Sequence, residues 1–150
     1  LTNAIRAAIA ALNAVPYGVI ALVARLATFS VFWRSGTEKL SDWSATLALF
    51  RDEYHTPLLP PDLAAEIAAS LELGCSSLIL MGLLTRVSTL LLLGMTLTIQ
   101  LFIYPQAWPT HIQWLAFMLI IVLRGPGAIS LDALIGPRLL GRPVPPPPQG

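Results

Sequence analysis

An arginine in the middle of an apolar helix constrains this chain more than any other feature. The stretch Tyr17–Leu40 reads YGVIALVARLATFSVFWRSGTEKL. It is long and apolar enough to enter a bilayer, yet Arg25 sits within it. It closes on Phe32-Trp33-Arg34-Ser35-Gly36, an aromatic–basic–small cluster of the kind found where a helix leaves lipid for water. An unpaired guanidinium at such depth is costly even on lenient insertion scales. A second segment is therefore expected to supply a carboxylate at the same height, and that pairing would fix how the segments are arranged.

Composition supports the bilayer. Of 150 residues, 55% are hydrophobic and 11% charged, against about 25% charged in a soluble domain, so the expectation is one integral membrane domain. A net charge of +1 with no basic run excludes nucleic acid as a partner. The single cysteine, Cys75, lies in an apolar stretch, which rules out an intramolecular disulfide or a Cys-x-x-Cys pair. With two distant histidines besides, no metal site is expected. The first fifteen residues lack the pattern of a cleavable signal, and the chain begins without Met, so its start is expected to lie upstream or to have been trimmed.

Residues 2–15 are Ala-rich, with Ile5, Ile9 and Leu12 at helical spacing and Arg6 the only charge. They fit either a short helix on the membrane surface or a plain helical lead-in. The first span, 17–40, follows. Between Ser35 and Pro61 charges and prolines gather, and within that loop Asp42–Phe50 places Trp43, Leu47 and Phe50 on one face of a short amphipathic helix. The second span, 62–81, carries Glu66 and Glu72, together with Ala64/Ala68, Ala65/Ala69 and Ser70/Gly74 at the small-xxx-small spacing of close helix contacts. The third span, 87–104, has Gln100 as its one strongly polar side chain, and the fourth runs over 111–123. Residues 1–137 form the domain. Residues 138–150 are a proline-rich tail, with Pro143–Pro148 expected to be extended polyproline.

Four spans place both termini and the connection at 82–86 on one side. That side holds Arg6, Arg86, Arg124, Arg138 and Arg142, whereas Arg34, Lys39 and Arg51 on the other side are diluted by acids. The positive-inside rule then puts both termini in the cytoplasm. Heights follow from a rise of about 1.5 Å per residue: Arg25 and Glu72 both come out roughly 12–13 Å above the cytoplasmic ends of their spans, making Glu72 the expected partner. Such a pair either fixes helix register or serves function. Glu66, Gln100, His111 and Arg34 share a second level at roughly 20–25 Å, ringed by Trp33, Tyr104, Trp108 and Trp114 as an aromatic belt would be. His111 by itself reads as an interface residue. An acid, an amide, an imidazole and a guanidinium at one height form the polar part of a small-molecule pocket.

The pieces Phe32-Trp33-Arg34-Ser35-Gly36 with Lys39-Leu40 and Trp43, the acid-bearing second span, Gly82-Leu83-Leu84-Thr85-Arg86, Tyr104-Pro105 with Trp108, His111 and Trp114, and Arg124-Gly125-Pro126-Gly127 with Ser130-Leu131-Asp132 resemble, in that order, the DoxX family of small bacterial membrane proteins. The resemblance covers roughly residues 19–137 and implies an all-α bundle of four membrane spans in the bacterial cytoplasmic membrane. It also implies a membrane subunit or anchor of an oxidoreductase complex, with protein partners or further copies of itself and no intrinsic cofactor. On that reading the outer level, with Trp114, contacts a quinone: Glu66 and His111 handle protons, and Gln100 and Arg34 hydrogen-bond the carbonyls. The alternatives are a non-catalytic scaffold or accessory subunit and, third, a small-solute transporter.

Overall fold

The computed structural model describes residues 2–54 and 59–140, and within them every regular element is helical. The elements are α1 (Thr2–Asn13), α2 (Tyr17–Ser41), α3 (Trp43–Asp52), α4 (Pro61–Met81), α5 (Thr85–Thr98), α6 (Trp108–Arg124) and α7 (Leu131–Leu140). A five-residue π-helical segment, Ile99–Ile103, extends α5, and a 3₁₀ turn, Pro105–Ala107, leads into α6. Four helical stretches are long and apolar enough to cross a membrane: Tyr17–Ser41, Pro61–Met81, Thr85–Ile103 and Pro105–Arg124. The all-α, four-span expectation holds, with the fourth span starting at Pro105 and not at His111. The expected polyproline run at Pro143–Pro148 lies outside the described residues.

The spans pack as a ring in which α2 and α5 each touch both α4 and α6. Its interior joins Phe32 to Ile79, Leu92, Leu115, Met118 and Ile121. Polar side chains inside the ring satisfy themselves locally: the hydroxyls of Thr28, Thr89 and Thr96 each donate to the carbonyl four residues back. The outward faces stay apolar, with Val23 60%, Leu101 66% and Leu123 71% exposed. Water would not tolerate so much contiguous apolar surface, and lipid does.

Helix α3 caps one end of the ring. The Asp42 carboxylate accepts from the Ala45 N–H at 2.9 Å, closing the first turn as an N-cap does. Phe50, with Trp43 and Leu47, packs on Ala64 and Ala65 of α4. The apolar face read from the sequence is thus the face α3 buries. Ala64, Ala65 and Ala69 are buried, but an added Cβ at Gly74 would meet nothing within 4 Å, so the Ser70/Gly74 pair makes no helix contact. The close approach is instead at Gly36, where a Cβ would fall 2.7 Å from Leu73 Cγ.

The other end is tied by residues downstream of α6. Helix α4 ends on Gly82, whose left-handed φ of 71° suits glycine at a helix C-terminus. Leu84, before α5, offers no side-chain cap. Asp132 supplies one from α7, accepting from the Leu84 and Thr85 N–H groups at 2.8 and 2.9 Å and from the Thr85 hydroxyl at 2.7 Å. Gly127, at φ 81°, lets the intervening loop press on α2, where a Cβ would stand 2.8 Å from that of Ala21.

Candidate functional site

Two buried charged centres lie inside the ring, and they do not pair as height alone pairs them. Arg25 is 2% exposed and meets no carboxylate among the described residues. Its Nε donates to the Ile79 carbonyl at 2.7 Å, its Nη2 to that of Leu80, and its Nη1 to those of Ile129 and Pro126. Ile79 and Leu80 stand in the last turn of α4, where carbonyls have no partner within the helix and the helix dipole is negative. A helix C-terminus therefore serves the guanidinium in place of an acid. The expected Arg25–Glu72 pair does not form. The α2 residue packed beside Glu72 is Gly36, whose Cβ would lie 3.2 Å from that of Glu72. Gly36 is eleven residues, or about 16 Å, from Arg25 along the helix.

The partner of Glu72 is Lys39. The ammonium lies 2.9 and 2.8 Å from the two carboxylate oxygens and donates to the Ser35 hydroxyl at 2.9 Å. Ser35 in turn donates to Glu72 at 3.1 Å. Ser35 and Lys39 are one helical turn apart on α2, so both reach the same point on α4. The Glu72 side chain is 5% and that of Lys39 17% exposed, and the remaining exposure faces a cavity.

That cavity, of about 720 Å³ and open on part of its perimeter, is lined by α2, α3, α4, α5 and the start of α6. Its walls are mostly apolar, with Val31, Ile67, Leu71 and Met95 among them, and its polar lining includes Ser35, Lys39, Glu72 and His111. His111 is buried, and its Nδ1 lies 2.7 Å from Gln100 Oε1. The Gln100 Nε2 donates to the Pro105 carbonyl at 2.8 Å, which makes Oε1 an acceptor and places a proton on His111 Nδ1. Nε2 is left as the ring nitrogen available to the cavity. The π segment, with its Tyr104 N–H to Ile99 carbonyl bond of 2.8 Å, sets Gln100 opposite His111. Trp114 stands 5.0 Å from the His111 ring and 5.8 Å, edge on, from Phe32.

Of the residues predicted for the outer level, His111, Gln100 and Trp114 come together. Gln100 spends both ends of its amide on holding His111 in place. Arg34 lines the cavity but is 81% exposed and pairs with Glu38 at 2.8 Å. Glu66 is exposed and lies outside the cavity lining: six residues from Glu72, it points about 120° away around α4. Sequence reasoning missed Ser35 and Lys39 as site residues, although their i,i+4 spacing on the face carrying Phe32 was there to be read. It also missed Tyr54, which lines the cavity with the belt residue Tyr104 and packs on it edge to face at 5.5 Å. The Tyr104 hydroxyl donates to the Glu53 carboxylate, and that bond holds its pKa well above the usual tyrosine range. Burial pushes the Tyr54 phenol up as well.

Four apolar helices around one such cavity make this a multi-pass membrane protein, with a lipid bilayer as its surroundings. The DoxX family model matches residues 20–105. The match is more than half of the chain, and the chain belongs to the DoxX family. It takes in Ser35, Lys39, Glu72 and Gln100 and stops short of His111 and Trp114. No curated protein and no solved structure matches the chain.

Proposed function

We propose that this chain is a membrane subunit of a redox complex whose cavity holds the head group of a quinone. The observation that carries the reading is the cavity itself. Apolar walls sized for a small molecule flank a few fixed polar groups, the usual make-up of a ligand site. His111 offers Nε2 to a ring oxygen, accepting a proton from a hydroxyl when neutral or donating to a carbonyl when charged. Gln100 fixes the tautomer that permits this. The Lys39–Glu72 pair is a second place where a proton can be held, and a ligand oxygen within reach of Lys39 Nζ would compete with Glu72 for it. Electrons pass to or from a partner subunit.

The arrangement of charge supports a cytoplasmic location for both termini. At the α3 end each of Arg34, Lys39 and Arg51 is paired with an acid. By sequence, the opposite end carries Arg6, Arg86, Arg124, Arg138 and Arg142, and it is this larger number of basic residues that marks a cytoplasmic face. One observation favours the scaffold reading: Ser35, Lys39 and Glu72 already satisfy one another, as a purely structural cluster would.

The test is titration of the purified protein with short-tailed benzo- and naphthoquinones, read by thermal unfolding. A ligand at a hundred times its Kd stabilises by about 2.7 kcal/mol. His111→Phe, which removes the bond to the ligand and leaves the buried Gln100 Oε1 without its donor, is expected to cost about 1–3 kcal/mol of ligand-free stability and to weaken binding about tenfold. No stabilisation of the unaltered protein by either quinone class would overturn the proposal in favour of the scaffold.

A further inference from the structure

The end of the ring away from the cavity carries a second candidate site, and it is cationic. Tyr17 opens α2, Arg124 closes α6, and Arg86 lies in the first turn of α5. The three meet at Gly125. The Tyr17 hydroxyl donates to the Gly125 carbonyl at 2.7 Å, and the Arg124 guanidinium sits over the Tyr17 ring, 4.9 Å from its centroid. An Nη of Arg86 lies 3.3 Å from where a Gly125 Cβ would be. The Arg86 Nε donates to the Val122 carbonyl at 3.1 Å, which anchors a side chain that is otherwise exposed.

Two guanidiniums are thus held at one corner by a backbone carbonyl and a ring face, and neither forms an ion pair with an acid among the described residues. Asp132, the nearest acid in the chain after α6, spends both carboxylate oxygens on the start of α5. Converging like charges are offset by an oxyanion that both arginine forks can bond, and phosphate geometry suits those forks. The flanks indicate where that anion comes from. Val87 is 58%, Leu123 71% and Ile20 45% exposed. These apolar surfaces run on into the spans, where acyl chains lie.

We propose that the Tyr17–Arg86–Arg124 corner binds the phosphodiester head group of an anionic phospholipid, with the acyl chains along Val87 and Leu123. The site is independent of the cavity and stands whether or not the cavity binds quinone. The experiment is native mass spectrometry of the detergent-purified protein titrated with cardiolipin, with phosphatidylcholine of the same acyl composition, and with inorganic phosphate. Cardiolipin should bind roughly 10- to 30-fold more tightly than phosphatidylcholine, as two basic residues near a membrane surface would confer. Arg86→Gln with Arg124→Gln should erase that preference. Arg86→Lys with Arg124→Lys, which keeps the charge, should retain part of it and covers the case in which the neutral variant fails to fold. Equal binding of the two lipids, an unchanged cardiolipin preference in the neutral variant, or its complete loss in the lysine variant with the fold intact would each overturn the proposal in this form. Phosphate binding as tight as cardiolipin would assign the corner to a free anion instead of a lipid.

Discussion

At the scale of single residues the chain handles its two deepest charges in opposite ways. Arg25 spreads one cation over four carbonyls, and Glu72 meets one cation and one hydroxyl. The difference predicts two mutational cycles with unlike outcomes. Arg25→Met leaves the Leu80 carbonyl at the α4 C-terminus without its donor, at a cost of about 1–3 kcal/mol, while Ile79 keeps the Gly82 N–H. Because Arg25 and Glu72 do not touch, adding Glu72→Leu should add its own loss with no recovery. Lys39→Met or Glu72→Leu alone leaves a buried charge uncompensated, worth about 3–5 kcal/mol, whereas the Lys39→Met, Glu72→Leu double variant should recover much of that. Melting temperatures in one detergent decide both cycles. Recovery in the Arg25 cycle would mean that Arg25 and Glu72 do interact.

At the scale of elements, most of what the sequence announces is a matter of period and punctuation. Apolar runs and prolines locate the spans, and the Trp43–Leu47–Phe50 spacing locates α3. What was not legible depends on azimuth and reach. Helical rise gives height, so Glu66 and His111 look level, but only the rotation of α4 shows that Glu66 faces away. Height also ignores the length of the lysine arm, which carries charge from the end of α2 back to Glu72. Nor does a search for charged partners consider backbone carbonyls, which is why Arg25 was paired with an acid. The His111–Gln100 contact was legible as a shared level, but the π segment that aligns it left no mark in the apolar pattern. One element invites a pH test. Backbone and side-chain hydrogen bonds from Ala45 and Ser44 hold the Asp42 carboxyl below its usual 3.8. A depressed pKa contributes stability that is present above the unfolded value and lost as pH falls through the folded one. Protection of the Ala45 amide from hydrogen exchange, corrected for intrinsic rate, should therefore be constant from neutral pH down to about pH 4 and fall below it. Asp42→Ala should lack protection throughout. A flat profile in the unaltered protein would show that Asp42 does not cap α3.

At the scale of the whole molecule the two ends of the ring differ in kind. One end carries the cavity and three basic residues, Arg34, Lys39 and Arg51, and the other carries, by sequence, five, Arg6, Arg86, Arg124, Arg138 and Arg142. The difference predicts an orientation. A membrane-impermeant maleimide applied to intact cells should label Asp52→Cys, at the α3 end, and should label Leu134→Cys, on α7, only after the membrane is opened. Cys75 is buried and supplies little background. The reverse pattern would invert the proposed topology.

The central claim is that the cavity holds a quinone, and one position tests it without disturbing any polar group. Gly94 lines the cavity, and a Cβ added there would meet nothing within 4 Å. Gly94→Leu should therefore narrow the cavity while helix stability stays level or rises by up to about 1 kcal/mol, since glycine is a poor helix former. The decisive measurement is the amount of quinone extracted per chain after purification from native membranes in mild detergent. The account predicts about one quinone per chain in the unaltered protein, as a single site would retain, and clearly less in a fully folded Gly94→Leu. Equal amounts in both proteins would contradict it.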